Sequence, residues 1–496
     1  MWMIGIDMGT THTKAALFDE CGRMIAQRSR ATQVKAKSGP SAYSTFDPEE
    51  MWSSVADMIS DLTAHLDEKS VVSIGIASMA ESGLFVDRKS GRPQSPLLPW
   101  YDPCTVPQAE HIKSETDELE QFRKTGLGNS FKVGLAKMLW LKDWSKETYA
   151  DCVWLSVAGY IAYQLTGKLA ADYTLAARTY AFDLSRRAWD TALLRQFGLP
   201  EGVCPMAVPS GTAIGTVLPG VAERLGLSTD TSVSIAGHDH VAAAIAVGAL
   251  DEGDVYNSMG TAETLVGIMQ ERPLGREELL SGLSYGLHPV SGRMFWMGGN
   301  PSSGGSIEWL RGIIGSETLD YSRIQEETEQ LPSGPSGIVY FPYLSGSGAP
   351  TPSSDVRGAF IGLDKRHGRG DLLKSLFEGN AYQLESMRRS AEEVAKIPIS
   401  RLLVIGGGVR MRPWLHVKAA VSGTELVLPP IQEATLLGAA MLGAVGAGVF
   451  GSAKEAYDAL EAEQGEVIGF DLQEHVAYRQ VYEERFLPIQ RELMRW

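Results

Sequence analysis

The chain has 496 residues and a formal charge of −15, long enough for two or more domains with ample core. So acidic a surface repels phosphate backbones and argues against nucleic acid as a partner. Four cysteines, Cys21, Cys104, Cys152 and Cys204, stand apart with no CxxC pair, which argues against a zinc module or disulfide framework and fits a reducing, cytoplasmic setting.

The N-terminal stretch MWMIGIDMGTTHTK lacks a basic start and a long apolar core, so it reads as folded chain rather than a signal peptide. Met3–Met8, Thr13–Asp19 and Arg23–Arg30 read as three strands, broken by Gly9-Thr10-Thr11 and by Glu20-Cys21-Gly22-Arg23. A helix is expected over Pro48–Ala64, with Asp47 as N-cap and proline at the first helical position. Val71–Ile76 follows as a buried strand. Strands alternating with helices point to an α/β architecture. Near the end, Ala434–Phe450 is uncharged and rich in Ala and Gly. It falls short of a membrane span and reads as a buried helix, so no membrane partner is expected.

Part of the start recurs. Met8-Gly9-Thr10-Thr11-His12-Thr13 is echoed by Met259-Gly260-Thr261-Ala262-Glu263-Thr264, each between β-type segments. More loosely, Ile74–Ser78 is echoed by Leu403–Gly408. The pattern predicts a duplication: two related α/β domains, 1–248 and 249–496, facing each other across a cleft.

Three sets of residues can carry chemistry. In Asp7–Lys14, Gly9 allows a turn that presents backbone N–H groups to an anion. Thr10 and Thr11 add hydroxyls, Lys14 adds charge, and Asp7 suits hydrated Mg²⁺. The plain alternative is a hairpin turn, but the copy at Gly260-Thr261 favours a two-jawed phosphate clamp. Gly237-His238-Asp239-His240 follows an apolar strand and precedes an Ala-rich helix starting near Val241. From spacing alone Asp239 is a general base, a helix N-cap, or one of three metal ligands. Gly298–Gly305 and Gly406-Gly407-Gly408 are glycine-rich breaks that allow a flat ligand to approach the backbone. Gly446–Gly451 spells GxGxxG but follows a helical segment, so it lacks the dinucleotide context, and no GxxxxGK[ST] occurs.

These residues resemble the FGGY family of carbohydrate kinases, nearly end to end. The resemblance rests on Ile4–Thr11, on Leu165–Gly167 with Asp172, Arg178-Thr179 and Trp189-Asp190, and on Gly237–Asp239 and Ser258–Thr261. It continues through Gly358–Leu363 with Asp371, Ser375, Phe377 and Glu378, and ends at Gly406–Gly408 and Glu433–Ala440. It implies two duplicated RNase H-like domains of the actin and hexokinase type flanking a central cleft. It also implies transfer of the ATP γ-phosphoryl group to a sugar or polyol hydroxyl, with Mg²⁺ as cofactor. By this resemblance Asp239 takes the hydroxyl proton and Asp7 organises the metal. Gly9, Thr10, Thr11, Lys14, Gly260 and Thr261 hold phosphates. Gly299, Ser303, Gly406, Gly407, Gly408 and Met411 lie on the nucleotide side. A homodimer is the family analogy for assembly.

Glu81, Trp100, Asp102, Asp239 and His240 are the expected acceptor-binding residues. Met79-Ala80-Glu81-Ser82 matches neither the Gln-Met-His-Gly of ketose kinases nor the Gln-Arg-Glu-Thr of glycerol kinases, and Cys104 stands where the family carries a basic residue. Gly346–Pro350 and Met411 also depart from the family pattern. A ketose such as a pentulose is the favoured acceptor, with a glycerol- or erythritol-like polyol as the alternative. A non-catalytic actin-like ATP-binding regulator and a metal hydrolase centred on His238-Asp239-His240 remain as further readings.

Overall fold

A computed structural model describes the whole chain apart from residues 38–41, 67–69, 146–148, 316–318, 462–464 and 496. Two large sheets organise it. The first contains β1 (Trp2–Met8), β2 (His12–Asp19), β3 (Met24–Ala31), β4 (Val71–Ser78), β5 (Ala213–Thr216) and β6 (Ser232–His238), in the order β5-β6-β4-β1-β2-β3. The second contains β7 (Val255–Met259), β8 (Glu263–Gln270), β9 (Ser284–Leu287), β10 (Arg293–Asn300), β11 (Arg401–Ile405), β12 (Glu425–Leu428) and β13 (Glu466–Ile468), in the order β9-β10-β8-β7-β11-β12-β13.

The two sheets share a plan. β1-β2-β3 and β7-β8-β10 are antiparallel meanders. β4 and β6 then extend the first sheet in parallel from β1, as β11 and β12 extend the second from β7. The glycine-threonine turns fall at equivalent places, between β1 and β2 and between β7 and β8. The repeat in the sequence is therefore a repeat of topology. The early elements also agree with the reading: the helix runs Pro48–Thr63, and the Asp47 carboxylate accepts from the N–H groups of Glu49 and Glu50.

The Ala- and Gly-rich segment forms a buried helix, Ala434–Gly446, that crosses from the second half onto the face of β1, β4 and β6. It also packs on the helix Asp239–Ala246. Side chains are nearly absent at the crossing because backbone meets backbone. A Cβ on Gly5 would stand 1.9 Å from the Leu436 carbonyl oxygen, and one on Gly75 1.8 Å from that of Ala439. One apolar cluster, with Ala16, Ala77, Ala243, Val266, Ile268, Leu403, Ala439 and Ala440, fills the space between the sheets. Among the described residues no helix is long and apolar enough to cross a membrane.

Candidate active site

Parallel strands bring their C-terminal ends to one edge. Met8 pairs with Ser78, and Ser78 with His238, so the Gly9 turn, Met79–Glu81 and Asp239 emerge side by side. The second sheet does the same, with Ser258 paired to Ile405. There Gly260, Thr261, Gly406 and Gly407 are exposed, and a Cβ on Gly407 would meet nothing within 4 Å.

Asp239 is the first residue of its helix, which starts two residues earlier than the sequence suggests. His238 holds the cap position and makes no capping bond, so the N-cap reading of Asp239 is replaced. One Asp239 oxygen, Oδ1, accepts from the His240 N–H at 2.7 Å and lies 3.3 Å from His238 Nε2. The side chain keeps 25% of its surface open to the cleft. Burial raises its pKa, partly offset by His240. Burial, with His240 and Arg178 nearby, holds His238 well below the ordinary imidazole value, so its ring is neutral.

Asp7 is half-buried, and its Oδ1 is buried with no hydrogen-bond partner among the described residues. Burial and the Asp239 carboxylate push its pKa up to about 8, while Lys14 pulls the other way. A carboxylate in that state calls for a cation, so the site fits the Mg²⁺ expected there. Among the described residues no three or more His, Cys, Asp or Glu side chains converge, so His238-Asp239-His240 does not form the multidentate protein ligand set that a zinc hydrolase uses.

The remaining acceptor residues are placed more variously. Glu81, at φ +58°, is clamped by Arg178, whose Nε lies 2.7 Å from Glu81 Oε1 and whose Nη2 also bonds it. Trp100 Nε1 donates to Thr10 Oγ1 at 2.9 Å, tying an expected acceptor residue to the first glycine-threonine turn. Both Asp102 oxygens accept backbone N–H groups, from Ser44 at 2.6 Å and Cys104 at 2.9 Å. His240 reaches across the cleft, with Nε2 3.4 Å from Thr264 Oγ1 on β8. Lys14 Nζ bonds both oxygens of Glu433 at 2.9 Å, so its charge is already shared.

On the other side, Gly299 pairs with Thr264 in the sheet. Ser303 is fully buried and donates to Glu263 Oε2 at 2.8 Å, and Met411 is buried in the second core. These two stand behind the glycine surface rather than on it. Glu263 is in turn bonded by Lys418 and by Asn257.

Three cations beside the expected acceptor residues escaped the sequence reading: Arg178, Lys132 and Lys137. Lys132 Nζ sits 5.0 Å over the Trp100 ring. Buried Lys137 donates to the Lys132 carbonyl at 2.6 Å, and burial lowers its pKa to about 8. Its charge lies close enough to feel Glu81, Cys104 and Asp102. Arg178 lay inside a quoted motif, but nothing local signals a partner 97 residues away.

Comparison with known proteins agrees with this geometry. Residues 2–246 match the N-terminal domain of the FGGY family of carbohydrate kinases, and residues 255–447 its C-terminal domain. The chain is 27% identical to a xylulose kinase of Bacillus subtilis over 92% of this chain and 90% of that protein. It is 28% identical to a glycerol kinase of Gloeobacter violaceus over 91% and 90%. The crystal structure of a gluconate kinase from Lactobacillus acidophilus superposes with a TM-score of 0.91 at 22% identity, covering 99% of this chain and 98% of that one. With the two domain models spanning most of its length in order, the chain belongs to the FGGY family of carbohydrate kinases.

Proposed function

We propose that this enzyme transfers the γ-phosphoryl group of ATP to a hydroxyl of a small sugar, with Asp239 as the general base and a xylulose-type ketose as the favoured acceptor. The observation that carries the reading is Asp239 itself. It is a carboxylate at the head of a helix, open to the cleft, whose protein hydrogen bond comes from the adjacent residue's amide. The acceptor hydroxyl gives its proton to Asp239 as its oxygen bonds to the γ-phosphorus. The bond to the β-phosphate oxygen breaks, and ADP leaves. Phosphoryl transfer needs alignment and charge stabilisation more than covalent help from the protein. Gly9, Thr10, Thr11 and Lys14 hold phosphates from the first domain, and Gly260 and Thr261 from the second. Gly299 and Gly406–Gly408 face adenosine, with Ser303 and Met411 supporting them from behind. Asp7 would hold Mg²⁺ through water; when bound, the ion neutralises charge on the transferring phosphates.

The division at 248/249 fits this reading, because the first sheet is complete by His238 and the second begins at Val255. We also place the enzyme in the cytoplasm, where ATP is supplied. The ketose preference draws on the xylulose kinases among the relatives, and the polyol alternative on the glycerol kinases. The test is ADP release from Mg·ATP with tetroses, pentuloses, hexuloses, polyols and aldonates. A pentulose should respond most. A polyol leading the panel would move the acceptor to the alternative, and ATP turnover indifferent to every acceptor would favour the actin-like regulator.

A further inference from the structure

The base is held from behind by a buried polar chain. Asp172 is fully buried just before the helix Tyr173–Ala177. Its Oδ2 accepts from Thr174 N at 2.8 Å, Thr174 Oγ1 at 2.5 Å and Ser210 Oγ at 2.6 Å, and its Oδ1 from Leu175 N at 3.3 Å. A hydroxyl has one proton, and Thr174 gives it to the carboxylate. The Thr174 lone pairs therefore face the other way, and the backbone N–H of His238 donates to Oγ1 at 2.8 Å. His238 immediately precedes Asp239.

The fit is close. β6 slips register against β4 between Ile235 and Gly237, and Gly237 takes φ +102°. A Cβ there would lie 2.3 Å from Thr174 Oγ1 and 2.5 Å from Asp172 Oδ2. The chain must therefore pass directly over these two side chains at the point where it turns into the catalytic helix. The same five-residue helix ends at Arg178, which clamps Glu81 in the acceptor pocket.

We propose that Thr174, oriented by Asp172, is a positioning residue that fixes the Gly237–His238 peptide, immediately before Asp239 in the chain, and so aims the Asp239 carboxylate. The proposal rests on Asp239 being the base. Its signature is a loss in turnover without a loss in binding, because neither side chain is exposed to acceptor or nucleotide and a small displacement of a base is expensive in rate.

The experiment compares steady-state kinetics of the full chain with Thr174→Val, Thr174→Ala and Thr174→Ser, using the best acceptor from the panel. Valine preserves shape and removes the acceptor oxygen; alanine does so without added bulk if valine fails to fold; serine restores the oxygen. Valine and alanine should each lower kcat by about 10- to 100-fold, with KM for ATP and for the sugar within twofold. Serine should return kcat to within about threefold of the parent. Unchanged kcat in both deletions, a matching rise in KM, or no rescue by serine would overturn the positioning role while the kinase stood. A parent enzyme with no acceptor-dependent ADP release would instead sink the kinase reading, and the positioning role with it.

Discussion

Beneath each of the two glycine-threonine turns lies a lysine–glutamate pair, and the two pairs are very different. Lys14 and Glu433 meet in the cleft with 29% and 24% of their side chains exposed, joining β2 of the first sheet to the start of the helix Ala434–Gly446. Lys418 and Glu263 are both fully buried inside the second half, where Glu263 also takes bonds from Asn257 and Ser303. One backbone plan thus supports two kinds of edge. The first presents ionisable groups, Asp7 and Asp239, to the cleft. The second presents bare backbone at Gly260, Gly406 and Gly407 and seals its charges underneath. In the proposed reaction the reacting hydroxyl meets the first kind of surface, and the adenosine end of the nucleotide meets the second.

Removing one ammonium at a time should expose the contrast. Lys418→Met leaves the Glu263 carboxylate buried without its cation and should cost about 3–5 kcal/mol of stability. Lys14→Met, at the screened pair, should cost at most about 1 kcal/mol. Urea unfolding of both variants checks this, and equal losses would erase the distinction.

A second buried carboxylate sharpens it. Glu378 accepts from Ser336 N at 2.8 Å and Ser336 Oγ at 2.6 Å, and burial raises its pKa from 4.5 to about 7. Between those values the folded protein keeps a proton that the unfolded chain releases. Glu378 therefore favours folding fully below pH 4.5, and that contribution declines as pH rises through 7, by about 3 kcal/mol in all. Glu378→Gln should flatten that part of the stability profile between about pH 4.5 and 7. A variant that follows the parent's slope would reassign the proton.

A smaller effect than those of the buried carboxylates is expected at the proposed acceptor pocket. Arg178→Met frees Glu81 from its clamp and should raise the acceptor KM by about 10-fold, the equivalent of roughly 1.5 kcal/mol for a charged hydrogen bond. KM for ATP should stay within twofold. Equal rises in both constants would mean that Arg178 supports the whole edge rather than the sugar side.

Much of this was legible in the residues. The Gly-Thr repeat announced two related sheets, and the uncharged Ala- and Gly-rich run Ala434–Phe450 announced a buried helix, though not its backbone-to-backbone crossing. Asp7 and Asp239 stood out as candidates because each lies at a strand end two residues from a glycine. Contacts between distant segments were not. Glu81–Arg178, Lys14–Glu433 and Glu263–Lys418 join residues 97, 419 and 155 positions apart, and no local periodicity encodes such partners. Ser303 and Met411 look like ligand residues beside glycines, yet burial turns both inward. The helix start at Asp239 was misplaced because an Ala-rich run marks where a helix continues better than where it begins.

The central claim is that Asp239 accepts the acceptor's proton. The most direct measurement is kcat of Asp239→Asn against the parent, with the strongest acceptor and saturating Mg·ATP. The account predicts a fall of about 10²- to 10⁴-fold with KM for ATP nearly unchanged. An asparagine enzyme turning over within a few-fold of the parent would contradict it.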